Sequence, residues 1–247
     1  MKYIGITGHR GSGKTSVAYL LGNILEELKR NRSKDDIYTS FIVWCKIIKE
    51  NCNSIYDCVH NYVYFDEFGD FPKSFVAQLL GIDISILDDD KFKDIFYVNM
   101  KTFKVSKLDK QQNIITSNDI LNHNGHKWGE SYISLREFIK CFSIDIMQNF
   151  FGSNVWLKSR QANDNTWNDN NTGWRIFSDV KTLDEIKYIK DKNGILICTK
   201  NKINKKKHNG ISNIEKCDAD YVIITEGNLI DLFDNIYEIA QKIITEQ

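Results

Sequence analysis

Gly8, Gly11, Gly13, Lys14 and Thr15 are the residues whose types and spacing most specifically carry chemistry. They fall within Gly8-His9-Arg10-Gly11-Ser12-Gly13-Lys14-Thr15, which satisfies G-x-x-x-x-G-K-[ST]. Glycines let the backbone curl until successive N–H groups face one anion, and a helix starting behind the loop adds the positive end of its dipole. Lys14 is then in reach of the β- and γ-phosphates of a nucleoside triphosphate, and the Thr15 hydroxyl is a ligand for Mg²⁺. The spacing predicts that Gly8, His9, Arg10, Gly11, Ser12, Gly13, Lys14, Thr15 and Ser16 cradle the phosphates of ATP with Mg²⁺. A glycine-rich turn without a ligand is the competing explanation, and the flanking residues argue against it. Lys2 to Thr7 reads as a short buried strand, while Val17, Leu20, Leu21, Ile24 and Leu25 share one helical face.

The elements that must hold this loop follow from periodicity. Ile37 to Ile48 carries Phe41, Trp44, Cys45 and Ile48 at helical spacing, and Tyr62 to Phe65 reads as a core strand. Phe71 to Leu80 reads as a helix with Pro72 in its first turn and Gly81 stopping it. Residues 83–132 are polar and broken, and are expected to be an insertion or a region covering the substrate. Within them Asp88-Asp89-Asp90 reads as a solvated acidic run rather than a metal site. Ser134 to Phe150 reads as a helix, with Ser134 as N-cap and Glu137 three residues on. Val155-Trp156-Leu157 starts a further apolar step, and a polar loop at about 160–173 follows. Strand 174–179, helix 183–192, strand 195–198, strand 221–224 and helix 228–244 complete the chain. Alternating strands and helices predict an α/β three-layer sandwich: one domain over residues 1–247, a mainly parallel sheet with helices on both faces, and a ligand site at the carboxyl ends of the strands.

Composition narrows the functional classes. Lys+Arg and Asp+Glu both total 33, so no overall field draws the chain to a polyanion or an anionic membrane. The basic run Lys200 to Lys207 reads as a loop. Cys45, Cys52, Cys58, Cys141, Cys198 and Cys217 show no C-x-x-C spacing, which fits reduced thiols in a cytoplasm. His123 and His126 lack cysteines at zinc spacing and are expected to be loop residues. No run approaches the length of a membrane span, and the amino-terminal residues do not read as an export signal.

Several further segments stand in a recognisable order. Phe68-Gly69-Asp70-Phe71-Pro72-Lys73 precedes Leu79-Leu80-Gly81; Leu135-Arg136-Glu137-Phe138-Ile139 and Val155-Trp156-Leu157-Lys158 follow. Then come Ser178-Asp179-Val180-Lys181 with Glu185, and Ala219 to Ile224 running on to Asn228 to Phe233. With the glycine loop in front, this order resembles the phage-type deoxynucleoside monophosphate kinases, a branch of the P-loop nucleoside monophosphate kinases. The resemblance spans most of the chain apart from about 30–60 and 84–130. It implies an ATP- and Mg²⁺-dependent transferase of nucleotide biosynthesis that phosphorylates a (deoxy)nucleoside 5′-monophosphate. It further implies a homodimer, while the cysteines point to the cytoplasm (the host's, for a viral protein) and the charge balance and lack of a membrane span to no stable binding of nucleic acid or membrane.

Carried onto this sequence, the resemblance implies that Lys14 stabilises charge on the β–γ bridge and that Arg136 and Lys73 hold the acceptor phosphate. Lys181 and Glu185 would line the acceptor pocket, with Trp156 near the nucleoside. Asp179 is a candidate either for acting on Mg²⁺ through a coordinated water or for a sugar contact. Arg160 would close over the phosphates from a lid loop. The family's Asp-x-Arg reads Asp179-Val180-Lys181 here, its Gln-x-x-Gly-Thr stretch reads Lys140 to Ile144, and His208 has no carboxylate at the family's spacing. Two alternatives remain open: another acceptor such as a nucleic-acid 5′-hydroxyl, or a nucleotide-binding protein with lost or reduced turnover.

Overall fold

A computed structural model of the chain describes residues 1–9, 11–50, 62–87, 90–108, 114–116, 131–164, 173–201 and 218–246. Arg10, Asp88, Asp89, Cys52, Cys58, His123, His126, Trp128, the basic run 202–207, His208 and Cys217 lie outside these residues, as does 165–172 of the expected lid loop.

In chain order the elements are β1 (Lys2–Gly8), α1 (Lys14–Lys29), α2 (Lys34–Glu50), β2 (Val63–Asp66), α3 (Asp70–Leu80), α4 (Asp90–Ile95), β3 (Phe96–Asn99), β4 (Val105–Lys107), β5 (Ile114–Ile115) and β6 (Tyr132–Ser134). They continue with α5 (Leu135–Lys140), α6 (Met147–Phe151), α7 (Val155–Asp164), β7 (Trp174–Val180), α8 (Leu183–Asp191), β8 (Ile195–Lys200), β9 (Tyr221–Ile224) and α9 (Leu229–Thr245). The chain divides into two compact units, Met1–Phe68 with Thr166–Gln247, and Gly69–Asn165.

The first unit is α/β. Its five strands run in the order β2-β7-β1-β8-β9, and every pair is parallel. Parallel strands need crossovers that cover the sheet, so β1 reads as an uninterrupted apolar run with Tyr3 to Ile6 buried. Its alternate residues face different partners. Ile4 and Ile6 join the core formed with α1, α2 and α9, including Leu21, Ile24, Phe41, Phe233 and Ile236. On the opposite face Tyr3 stacks with Phe177, and both meet Tyr188 of α8 edge-on. Helices therefore lie on both faces, as in a three-layer α/β sandwich. Gly22 lets α1 approach the sheet closely: a Cβ there would come within 2.4 Å of the Phe65 ring.

Strand β2 is tied to β7 by a buried ion pair. Arg175 donates from Nε at 2.9 Å and from Nη2 at 2.8 Å to the same Asp66 oxygen. The other Asp66 oxygen accepts the Glu67 N–H at 2.9 Å. A buried charge without its partner is strongly disfavoured, so this pair selects the register in which Tyr64 lies beside Arg175.

The second unit fills the stretch where sequence periodicity failed. Strands β4-β3-β6-β5 form a small mixed sheet, antiparallel at β3–β4 and β3–β6 and parallel at β5–β6. Val76, Leu80, Leu87, Val98, Ile133, Leu135 and Phe138 make its core. Each of β4, β5 and β6 has three residues or fewer, too short for alternation to register. The expected helix 134–150 starts as predicted, with Ser134 Oγ accepting the Glu137 N–H. It then widens into a π-helical segment, Cys141–Ile146, before resuming as α6. Burial, with Asp145 and Glu137 adding to it, pushes the Cys141 thiol up to about 11.

Thr7, fully buried at the end of β1, has a side-chain hydroxyl with no hydrogen-bond partner among the described residues. An unmet buried hydroxyl costs about 1–3 kcal/mol, and valine has nearly the same shape. Thr7→Val is expected to raise the melting temperature by roughly 2–4 °C per kcal/mol recovered. Calorimetry checks this; a fall would show that the hydroxyl is satisfied in solution.

Candidate functional site

All five strands of the first unit end on the same edge, and the Gly8–Thr15 loop leaves from the central one. Gly8, Gly11 and Gly13 have φ of 146°, 77° and 79°, values that L side chains rarely adopt. The Ser12 N–H donates to the His9 carbonyl at 3.1 Å, closing the turn. Helix α1 begins behind Gly13 without a side-chain cap, and its first internal bond runs from the Val17 N–H to the Gly13 carbonyl at 2.9 Å. The N–H groups before it have no partner within the helix and stand at the positive end of a 16-residue helix, a position that suits an anion. Lys14 Nζ donates to the Gly8 and His9 carbonyls at 2.9 and 2.8 Å. Burial, then the charge of Lys181, lowers the Lys14 ammonium from its ordinary value, while Asp179 and Cys198 pull it back up. Thr15 is exposed and Ser16 half-buried.

Beside the loop, β1 and β7 slip register: Gly5 lies against Phe177 but Thr7 against Val180, so β7 carries one extra residue there. Such an irregularity re-aims side chains. Asp179 accepts the Phe68 N–H on Oδ1 at 2.8 Å and the Lys181 ammonium on Oδ2 at 3.1 Å. Ser178 donates to Glu67 at 2.9 Å. For Lys181, burial is outweighed by Asp179, Glu67 and Glu185, and the ammonium lies above its ordinary value. Glu185 closes a capping box at the start of α8. Its Oε2 accepts the N–H groups of Lys181 and Thr182 at 2.6 and 2.8 Å, and Thr182 Oγ1 accepts the Glu185 N–H at 3.2 Å. Burial still pushes the Glu185 carboxyl up, against those two bonds.

The other sequence candidates, Lys73, Arg136, Trp156 and Arg160, belong to the second unit. Arg136 forks onto Asp94, with Nε bonded to Oδ1 and Nη2 to Oδ2 at 3.2 Å. Lys73 lies 3.7 Å from Asp70 one helical turn earlier. Arg160 is inside α7, not at the start of a loop, and its guanidinium sits 5.6 Å from the Phe71 ring centre. The Trp156 indole donates to the Ser143 carbonyl at 2.9 Å, inside the π segment. A π turn shifts the backbone ladder by one residue, and this indole supplies a partner to one of its carbonyls.

Two features escaped the sequence. One is the Asp66–Arg175 pair. The other is Thr199 at the end of β8, whose hydroxyl lies 2.6 Å from that of Ser12. Both span more than 100 residues and depend on strand order, which no local motif announces.

No protein-family model matches the chain, and no curated protein matches it either. Among the described residues no group of three or more His, Cys, Asp or Glu could hold a metal ion, and no helix is long and apolar enough to cross a membrane.

Trp156→Phe keeps an aromatic ring but removes the five-membered ring that carries the donor to Ser143. It is expected to cost about 1 kcal/mol for the bond, with the lost ring volume adding to that. Denaturant melts with an unchanged slope would measure it; an unaltered midpoint would assign Trp156 no role in holding the π segment.

Proposed function

We propose that the protein is a nucleotide kinase, transferring the γ-phosphoryl group of Mg·ATP to a (deoxy)nucleoside 5′-monophosphate. The observation that carries the reading is the Gly8–Thr15 loop: three glycines at positive φ, an uncapped helix start behind them, and Lys14 folded onto the same turn. Backbone N–H groups and a helix dipole aimed at one point suit a polyphosphate, and the lysine adds a mobile positive charge.

In this reading Lys14 leaves the Gly8 and His9 carbonyls for the bridging and γ-oxygens, where its charge opposes the negative charge that builds up during transfer. Phosphoryl transfer asks a protein mainly for positioning and charge neutralisation, so fixed N–H donors supply much of what is needed. Mg²⁺ usually keeps several waters and binds through one or two protein oxygens plus substrate phosphates. The exposed Thr15 hydroxyl fits that demand, with Asp179 close to Lys14 as the acidic partner. The metal would neutralise phosphate charge. Arg136 is suited to a phosphate because its fork already holds a carboxylate of similar geometry. Lys73 and Arg160 are its companions in that unit.

A second reading, a nucleotide-binding protein with reduced turnover, draws on different observations. Lys181 is paired with Asp179, and Glu185 is committed to a capping box. Lysine also lacks the planar fork of arginine.

Thermal-shift measurements against Mg·ATP and each deoxy- and ribonucleoside monophosphate separate the readings. A ligand at a hundred times its Kd adds about 2.7 kcal/mol, which for a chain of this size raises the melting temperature by roughly 5–10 °C. A kinase releases ADP only when the accepted monophosphate is present, and Lys14→Ala is expected to lower that rate by about 10²-fold or more. Binding of Mg·ATP with no ADP release across the full panel favours the second reading. No binding of Mg·ATP at all sinks both.

A further inference from the structure

We infer that Thr199 is a positioning residue that holds the Gly8–Thr15 loop in its curled shape before any ligand arrives; its bearing on ATP rests on the nucleotide reading above. Thr199 and Ser12 are both buried, at 0% and 1% exposure, and their hydroxyls are 2.6 Å apart. The direction of that bond follows from counting protons. A threonine hydroxyl has one, and Thr199 Oγ1 donates it to the Thr7 carbonyl at 3.1 Å. Ser12 is therefore the donor in the short contact. The result is a two-link chain, from Ser12 O–H to Thr199 Oγ1 and from Thr199 O–H to the Thr7 carbonyl. It fastens the middle of the loop to the ends of β8 and β1.

The first glycine supports the same conclusion independently. A Cβ on Gly8 would fall 2.4 Å from Thr199 Oγ1, 2.5 Å from the Thr199 carbonyl and 2.7 Å from Ser12 Oγ. Two of those three atoms are the clasp itself, so the missing side chain at position 8 makes room for the two hydroxyls to meet. Ser12 has no donor to spare for a ligand: its N–H goes to His9 and its O–H to Thr199. Its part in the loop is to set the turn that presents the neighbouring N–H groups. A loop shaped in advance spares the ligand that ordering cost, which shows as affinity.

The test compares wild type with Thr199→Val, Thr199→Ser and Ser12→Ala. Thr199→Val removes the acceptor for Ser12 and the donor to Thr7 while keeping the shape. Thr199→Ser keeps the oxygen and discards only a methyl group. Amide hydrogen exchange is measured first without ligand, then Mg·ATP binding by calorimetry. Exchange in peptides covering residues 8–16 should quicken about tenfold or more in Thr199→Val, with the rest of α1 unchanged, and return towards wild type in Thr199→Ser. Mg·ATP affinity should fall by roughly ten- to a hundredfold in Thr199→Val and by less than about threefold in Thr199→Ser. If Thr199→Val does not fold, Ser12→Ala, which leaves the Thr199–Thr7 bond intact, should show the same local exchange effect. Unchanged exchange in both, or a serine variant as impaired as the valine one, overturns the clasp. A clasp intact by exchange in a wild type that does not bind Mg·ATP overturns the nucleotide reading instead.

Discussion

Strand β1 can pair only if β7 and β8 lie on either side of it in the same direction, and this constraint governs everything at the carboxyl edge of the sheet. A central parallel strand is buried on both faces, so its residues serve the core until the chain turns out at Gly8. The functional groups that matter must come from the ends of its neighbours. β7 supplies Asp179 and leads to Lys181, β8 supplies Thr199, and Glu67 follows β2. Opening either pairing would scatter these groups, even with the glycine loop unchanged in sequence.

The electrostatics of that edge reflect close quarters more than net charge. Lys14 and Lys181 each lower the cost of bringing in an anion, yet each raises the cost of the other's charge. Asp179 stands between these demands, holding Lys181 directly and favouring the charged form of Lys14. Its second oxygen anchors the Phe68 backbone, so the carboxylate is fixed by a structural bond and leaves Oδ2 as its adjustable side. Glu185 illustrates the opposite case. A residue readable as a pocket wall is held by two N–H groups at the start of α8, where its carboxylate also suits the helix dipole.

Legibility in the sequence followed the range of the interaction. The parallel α/β organisation was visible because buried strands of four to seven residues alternate with helices long enough to show a stripe. Ser134 and Pro72 marked helix starts correctly because capping is local. The small sheet of the second unit was invisible: strands of two to four residues carry too few alternations to outweigh the polar residues around them. At the candidate site, the glycines and Lys14 stood out through spacing alone. Thr199 did not, since a threonine at a strand end looks like any other until β8 is known to lie against β1. Nor did the Asp66–Arg175 pair, since its two members lie 109 residues apart and meet only once β2 is placed beside β7.

The division of the chain has a consequence for its synthesis. Gly69–Asn165 is continuous, whereas the first unit is made in two instalments on either side of it. Lys2 pairs with Trp174, so a ribosome adding about 5–20 residues per second leaves β1 without a neighbour for roughly 9–35 s. The interrupting unit ends at Asn165, before Trp174 is made, so it can begin to close its own core ahead of the first unit. β1 is thus made well before either of its neighbours, and its apolar residues stay unpaired until β7 and β8 follow.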